Sequence, residues 1–384
     1  MTGVVAVKRE DWLDEELEEI RRRGLERQLE HRIGKPELDF TSNDYLGLAS
    51  DPRVVDAAAE AARRYGGGGR AARLLNGGSP LDHEVEQRVA EWLSAESALL
   101  FPTGYQANLG LLSSIAGAGD LIFSDALNHA SIIDACRLSR GEVSVYGHVD
   151  CEHLREQLVA ASGARRRFVV TESIFSMDGD CAPLAELAEL CLRLDAHLIV
   201  DEAHAVGVVG DEIGSGAWDA SDADARALLA RVVTGGKALG SGGGLVVGSR
   251  RLCHFLANRA RSFIFTTGVA PAVSGALLTA VELAQSASAQ RRRIRSLSAL
   301  ITDGLGLPRM KAGVIPVVVG EAAAAMEMAR RLTERGLRVA AVRPPTVPHG
   351  TSRLRLVVHA HNSEAAVGSL LAALRQGRVR KAAS

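Results

Sequence analysis

Between residues 95 and 250 the chain alternates short apolar runs with longer stretches of helical periodicity. The runs are Ala98-Leu99-Leu100-Phe101, Leu121-Ile122-Phe123, Phe168-Val169-Val170, His197-Leu198-Ile199-Val200, Arg231-Val232-Val233 and Gly244-Leu245-Val246-Val247. Most are continuous rather than alternating, the pattern of strands buried on both faces of a sheet. Between them lie stretches such as 183–195, opened by Pro183, a residue suited to the first turn of a helix. The alternation predicts a large α/β domain around a mostly parallel sheet.

Two flanking regions read differently. Leu13, Leu17, Ile20, Leu25 and Leu29 recur at helical intervals among Glu and Arg and predict an amphipathic helix over 11–33. Residues 275–305 contain no strong breaker and predict one long helix. Beyond it the pattern predicts strand Val314–Val319, helix Glu321–Arg335, strands Leu337–Val342 and Arg353–His359, and helix Ser363–Arg375. The alternation over 353–358 predicts a strand with one wet face. The expected organisation is an N-terminal helical segment (1–40), a large α/β domain (41–280) and a smaller α+β C-terminal domain (281–384).

Composition narrows the class. A chain of 384 residues, 47% of them hydrophobic, can bury a large core. A formal charge of −1 and a pI near 6.8 argue against a nucleic-acid or anionic-membrane surface. No segment approaches ~18 consecutive apolar residues, and Met1 to Asp11 lacks a signal-peptide pattern. Cys136, Cys151, Cys181, Cys191 and Cys253 are odd in number and lack CxxC spacing. They read as small buried residues in a reducing cytoplasm, not as a disulfide frame or metal site.

Candidate chemistry gathers where the apolar runs end. In open α/β sheets, ligands bind outside the carboxyl ends of the strands. Thr103-Gly104-Tyr105, Ser173 and Ser176, Asp201 and His204, and Thr234 and Lys237 all fall at such ends. Alone, Lys237 in its glycine-rich stretch reads as a solvated loop lysine, Asp201 as a helix cap and His204 as a loop histidine. Their convergence suits pyridoxal phosphate. The amine forms a Schiff base, the carboxylate keeps the pyridine nitrogen protonated, a ring covers the cofactor's face, and hydroxyls with helix N-terminal N–H groups hold the phosphate. Asp201-Glu202-Ala203-His204 also spells a helicase box, but no G-x-x-x-x-G-K-[ST] phosphate loop precedes it.

The chain resembles the α-oxoamine synthases, pyridoxal-phosphate enzymes of fold type I (aspartate aminotransferase-like), over nearly its whole length. The resemblance rests on Thr41–Leu48, Asn128–Ser131, Thr171–Asp180, Asp201–Gly207, Thr234–Gly240 and, most particularly, Arg343–Leu356. It implies that Lys237 anchors the cofactor covalently, Asp201 pairs with the pyridine nitrogen, His129 stacks on the ring and His204 bonds the phenolic oxygen. Gly104, Tyr105, Ser176 and Thr234 would help seat the cofactor. Thr266 and Thr267 would reach the phosphate from a second subunit, implying a homodimer with shared sites. His129, Thr346 and Arg355 would contact substrate, Arg355 as the carboxylate clamp. The implied reaction is condensation of L-alanine with a pimeloyl thioester of coenzyme A or acyl carrier protein, in the cytoplasm. Relatives acting on glycine or another acyl chain are the alternative. The run Gly66–Gly69 departs from the family's common pattern, and neither Glu26 nor Arg27 is assigned as its N-terminal substrate arginine.

Overall fold

The computed structural model describes residues 10–27 and 38–381, and in it the six apolar runs become six strands of a seven-stranded sheet. Twelve strands occur among the described residues: β1 (Leu38–Asp39), β2 (Ser97–Phe101), β3 (Asp120–Asp125), β4 (Glu142–Tyr146), β5 (Arg166–Glu172), β6 (His197–Asp201), β7 (Leu228–Thr234), β8 (Gly244–Gly248), β9 (Val314–Gly320), β10 (Leu337–Arg338), β11 (Ala340–Val342) and β12 (Ser352–Val357). The large sheet has the order β2-β8-β7-β6-β5-β3-β4. Strands β3 to β7 run parallel, while β8 is antiparallel to both its neighbours, β2 and β7.

Period-2 alternation between two apolar layers explains the unbroken runs. Phe168, Val170, Ile199, Val232 and Val246 pack with Leu111 and Ile132 on one face. Val169, Leu198 and Val200 pack with Leu154 and Leu187 on the other. Edge strand β4 escapes the sequence pattern because Glu142, Val143 and Val145 are all exposed.

The described residues divide into two compact units. The larger is Ser42–Ile315 with Val357–Ser363; the smaller takes those within Met1–Thr41, with Pro316–Leu356 and Glu364–Ser384. Residues 281–315 therefore group with the large unit, whereas the sequence pattern opened the small domain at 281. In the smaller unit β1 pairs with β10, and β12 lies between β11 and β9. All six residues of β12 are buried, so the expected wet face is absent; a central strand has no free edge and both its faces are covered. The expected strand 337–342 is two short pieces, β10 and β11.

Two helices end earlier than periodicity suggests. The N-terminal helix is Asp11–Arg22, because Gly24 turns left-handed at φ 63° and Leu25 N–H closes the end onto Ile20 O at 2.9 Å. Leu29 lies outside the described residues. The long helix is two, Pro271–Gln285 and Ser288–Leu305. At the interruption the buried Arg291 guanidinium donates to Ala284 O at 2.6 Å and Gln285 O at 3.2 Å, and it is held there by Gly207 O and Glu212 O from the large sheet's loops. All five cysteines are free, four of them buried.

Candidate active site

The strands deliver their polar residues to one edge of the sheet. β5 ends on Glu172, β6 on Asp201 and β7 on Thr234, and Glu172 pairs in register with Asp201. β2 ends at Phe101, after which Thr103 caps the helix Gly104–Ile115 by accepting from Gln106 N–H at 3.1 Å. This helix start is pressed against β8 and β7. An ideal Cβ on Gly244 would lie 2.4 Å from Gly104 Cα, and one on Gly104 would lie 3.2 Å from Thr234 Cβ. A helix N-terminus with its positive dipole end thus meets the Thr234 hydroxyl, a cradle suited to a phosphate.

Lys237 lies in the turn after β7 and is half-buried. Gly235 N–H donates to Gly243 O at 3.0 Å and Gly240 N–H to Lys237 O at 2.9 Å, closing the turn. A Cβ at Gly235 would sit 1.9 Å from Gly242 O, and one at Gly240 (φ 56°) 2.2 Å from Ala49 N. These two glycines are required by backbone contact. Gly236 differs: its Cβ position has only Thr234 Oγ1 near it, at 3.7 Å, leaving open space beside the lysine.

Asp201 is buried and receives Asn108 Nδ2 at 2.7 Å on one oxygen and Ala203 N–H at 2.9 Å on the other. Because a carboxylate only accepts, Asn108 must present its NH₂ here. The same NH₂ donates to Ser131 Oγ at 2.9 Å, and Ser131 Oγ lies 2.8 Å from His129 Nδ1. Nδ1 also accepts Ser131 N–H at 3.2 Å, which assigns the neutral ring's proton to Nε2. Part of the His129 ring reaches solvent, but its surroundings desolvate it. That and the nearby Lys237 charge pull its pKa below the ordinary value, against the opposing pull of Asp201 and Asp134. His204 is buried, its Nδ1 2.7 Å from Tyr45 Oη.

A second carboxyl occupies the same place. Burial of Glu172, reinforced by the charge of Asp201, pushes its pKa up to about 8; Lys237 and the N–H groups of His129 and Ser176 offset this only partly. Its Oε1 is buried without a hydrogen-bond partner. The Ser176-bearing loop is fastened from behind, where His148 joins Asp125 (2.9 Å) and Asp180 (2.7 Å) and sets its edge on Phe175 at 4.4 Å. Burial works against the His148 charge, but hydrogen bonds to two carboxylates raise its pKa to about 10.

The geometry fits pyridoxal phosphate: a half-buried amine, a buried carboxylate with fixed donors, an imidazole of fixed tautomer and a helix-N-terminal cradle with glycine at the point of approach. The aminotransferase class I and II family matches residues 35–374. The chain belongs to this family. Among curated aminotransferase-family relatives, the 8-amino-7-oxononanoate synthase of Anaeromyxobacter dehalogenans (strain 2CP-1 / ATCC BAA-258) is 46% identical, covering 95% of this chain and 94% of its own. Of solved structures, a serine palmitoyltransferase variant from S. paucimobilis with bound PLP–myriocin has a TM-score of 0.89 at 28% identity, covering 97% and 99%. The 8-amino-7-oxononanoate synthase of Francisella tularensis has a TM-score of 0.78 at 26% identity, covering 90% and 98%.

Within this aminotransferase fold, the charges of Lys237 and Asp201 both act on His129 and on Glu172, and Gly104 and Thr234 adjoin each other. Tyr105 is exposed, its ring 6.5 Å from that of His129 and its hydroxyl on Asp134. Thr266 Oγ1 accepts from Gln106 Nε2 at 3.3 Å, in the first turn of the cradle helix. Thr267 lies against Gly69, where a Cβ would meet Gly268 O at 2.0 Å; this explains the last glycine of the Gly66–Gly69 run. Thr346 and Arg355 belong to the smaller unit, Thr346 exposed and Arg355 buried on β12. Arg27 reaches Thr346 Oγ1 at 3.2 Å within that unit. Sequence reasoning assigned no role to Asn108, Ser131, Glu172, Tyr45 or His148. Three of these, Tyr45, Ser131 and Glu172, lie in the quoted motifs; His148 lies outside them, and Asn108 shares its helix with Gln106, Ser113 and Ser114, so its polarity alone did not single it out. Among the described residues, no helix is long and apolar enough to cross a membrane.

Proposed function

We infer that the chain catalyses the pyridoxal-phosphate-dependent condensation of L-alanine with a pimeloyl thioester to 8-amino-7-oxononanoate, CO₂ and free thiol, a step of biotin biosynthesis. The observation that carries this reading is 46% identity across 95% of the chain to a curated synthase of that name. The lysine, carboxylate and two imidazoles at the strand ends supply the required chemistry. Bound pyridoxal phosphate supplies an electron sink for charge released at the amino acid's Cα. Lys237 holds the cofactor and then takes the Cα proton of alanine on its amine. Asp201, held in place by Asn108 Nδ2 and Ala203 N–H, would keep the proton on the cofactor's pyridine nitrogen. His129, neutral with its proton on Nε2, covers the ring face. Gly104, Tyr105, Ser176 and Thr234 would seat the cofactor, Thr234 at its phosphate, with Thr266 and Thr267 reaching the phosphate from a second copy in a cytoplasmic homodimer. Arg355 takes the alanine carboxylate, and Thr346 contacts substrate.

The test is a product assay. Purified protein is incubated with L-alanine, glycine or L-serine against pimeloyl, acetyl and palmitoyl thioesters, and products are identified by mass spectrometry. Preference for alanine with pimeloyl, abolished in Lys237→Ala, is the expected result. Preference for glycine or serine transfers the reading to a sister activity. Separate pimeloyl-coenzyme A and pimeloyl-carrier-protein arms identify the donor.

A further inference from the structure

Tyr45 is completely buried, and no part of the proposed chemistry uses it. Its backbone is tied at both ends: its N–H donates to Asn43 O at 2.8 Å, and its carbonyl accepts Ala360 N–H at 2.8 Å. The next turn is equally constrained. Asp44 accepts Leu48 N–H at 2.9 Å and Ala49 N–H at 3.1 Å, and Gly47 is left-handed with the His361 ring filling its Cβ position. This segment also abuts the lysine turn, Gly240 lying against Leu48 and Ala49. From it the Tyr45 hydroxyl reaches His204 Nδ1 at 2.7 Å, the rings meeting edge to face at 6.0 Å and 77°.

The direction of that hydrogen bond follows from acid–base strength. An imidazole nitrogen is a far better acceptor than a phenol oxygen, and a phenol O–H is a better donor than a neutral imidazole N–H. Tyr45 therefore donates to Nδ1, and the neutral His204 ring carries its proton on Nε2. We propose that Tyr45 is a positioning residue that fixes the Nε2–H tautomer of His204, so that His204 offers a hydrogen-bond donor to the cofactor's phenolic oxygen. The inference rests on the cofactor assignment above. A carboxylate partner could not replace the phenol, because it would draw a proton onto Nδ1 and favour the doubly protonated ring.

The experiment reads the tautomer directly. Cofactor-free protein with ¹⁵N-labelled histidine is examined by long-range ¹H–¹⁵N NMR, with His204→Gln used to assign the resonance. An unprotonated Nδ1 and protonated Nε2 in the wild type are expected; the opposite pattern overturns the proposal, whatever the variants do. Tyr45→Phe is expected to lose the single tautomer and to bind pyridoxal phosphate up to about ten-fold more weakly, the scale of one lost hydrogen bond. A Tyr45→Phe protein with wild-type tautomer and affinity refutes the idea. Because neither readout involves substrate, a protein that fixes the tautomer yet fails with alanine and pimeloyl thioester leaves the positioning role standing and overturns only the reaction.

Discussion

Replacing Glu172 by glutamine separates the cost of its charge from its shape. The carboxyl lies in register beside Asp201, fully enclosed, with its pKa moved from 4.5 to about 8. In the unfolded chain this proton leaves near 4.5; in the folded chain it stays until about 8. Between those values the folded state binds more protons, so its stability falls as pH rises and levels off above 8. At ~1.4 kcal/mol per unit, the full effect is roughly 5 kcal/mol. Glutamine keeps an acceptor for the N–H groups of His129 and Ser176 but has nothing to ionise. Urea unfolding of the cofactor-free protein, followed by tryptophan fluorescence at a series of pH values, compares the two. Glu172→Gln should gain several kcal/mol on the wild type between pH 5 and 8. A wild-type-minus-variant difference that is the same at both ends of that range would refute the argument.

Asp201→Asn should bind cofactor yet turn over at least 100-fold more slowly, about 2.7 kcal/mol in the barrier; near-normal kcat at full cofactor occupancy would exclude the proton-holding role. Gly235→Ala places a methyl 1.9 Å from the Gly242 carbonyl and should lower stability by roughly 1–3 kcal/mol, read as a drop in Tm. His148→Gln should cost about 1–3 kcal/mol at pH 6. That difference should shrink as pH rises toward 10, since a raised histidine pKa stabilises fully below 6.5 and loses its effect through about 10. A pH-independent difference would show that packing on Phe175, not the ion pairs, holds the loop.

The interior of the large sheet was legible because strands covered on both faces must be apolar at every position, as in Phe168-Val169-Val170. The site lysine and aspartate were legible only together: each alone has a bland reading as loop lysine or helix cap, but both follow the ends of such runs, where ligands bind. What stayed hidden depended on distant partners. The break at Ser286 and Ala287 has no local breaker; Arg291 bonds the carbonyls of the preceding helix while the same guanidinium is held by Gly207 O and Glu212 O, far back in the chain. Strand β12 alternates Arg with Leu, yet its arginines are buried, since length and fixed charge do not reveal whether a guanidinium is covered. The pairing of Asn108 with Asp201 spans 93 residues, and nothing local links them.

The order of the large sheet also bears on how the chain is made. β2 is the first of its strands to leave the ribosome, but its neighbour in the described sheet is β8, which ends nearly 150 residues later at Gly248. Until β8 is synthesised, β2 has no partner within this sheet, and the helix that follows it has no glycine ridge to rest on. Pairing at such separation is slow, because the intervening chain must be ordered first. The phosphate cradle therefore cannot form before β8 is made, and a nascent chain stalled before β8 should fail to capture cofactor even with Asp201 already emerged. Cofactor uptake during translation would then time-stamp the closing of the sheet rather than the emergence of Asp201.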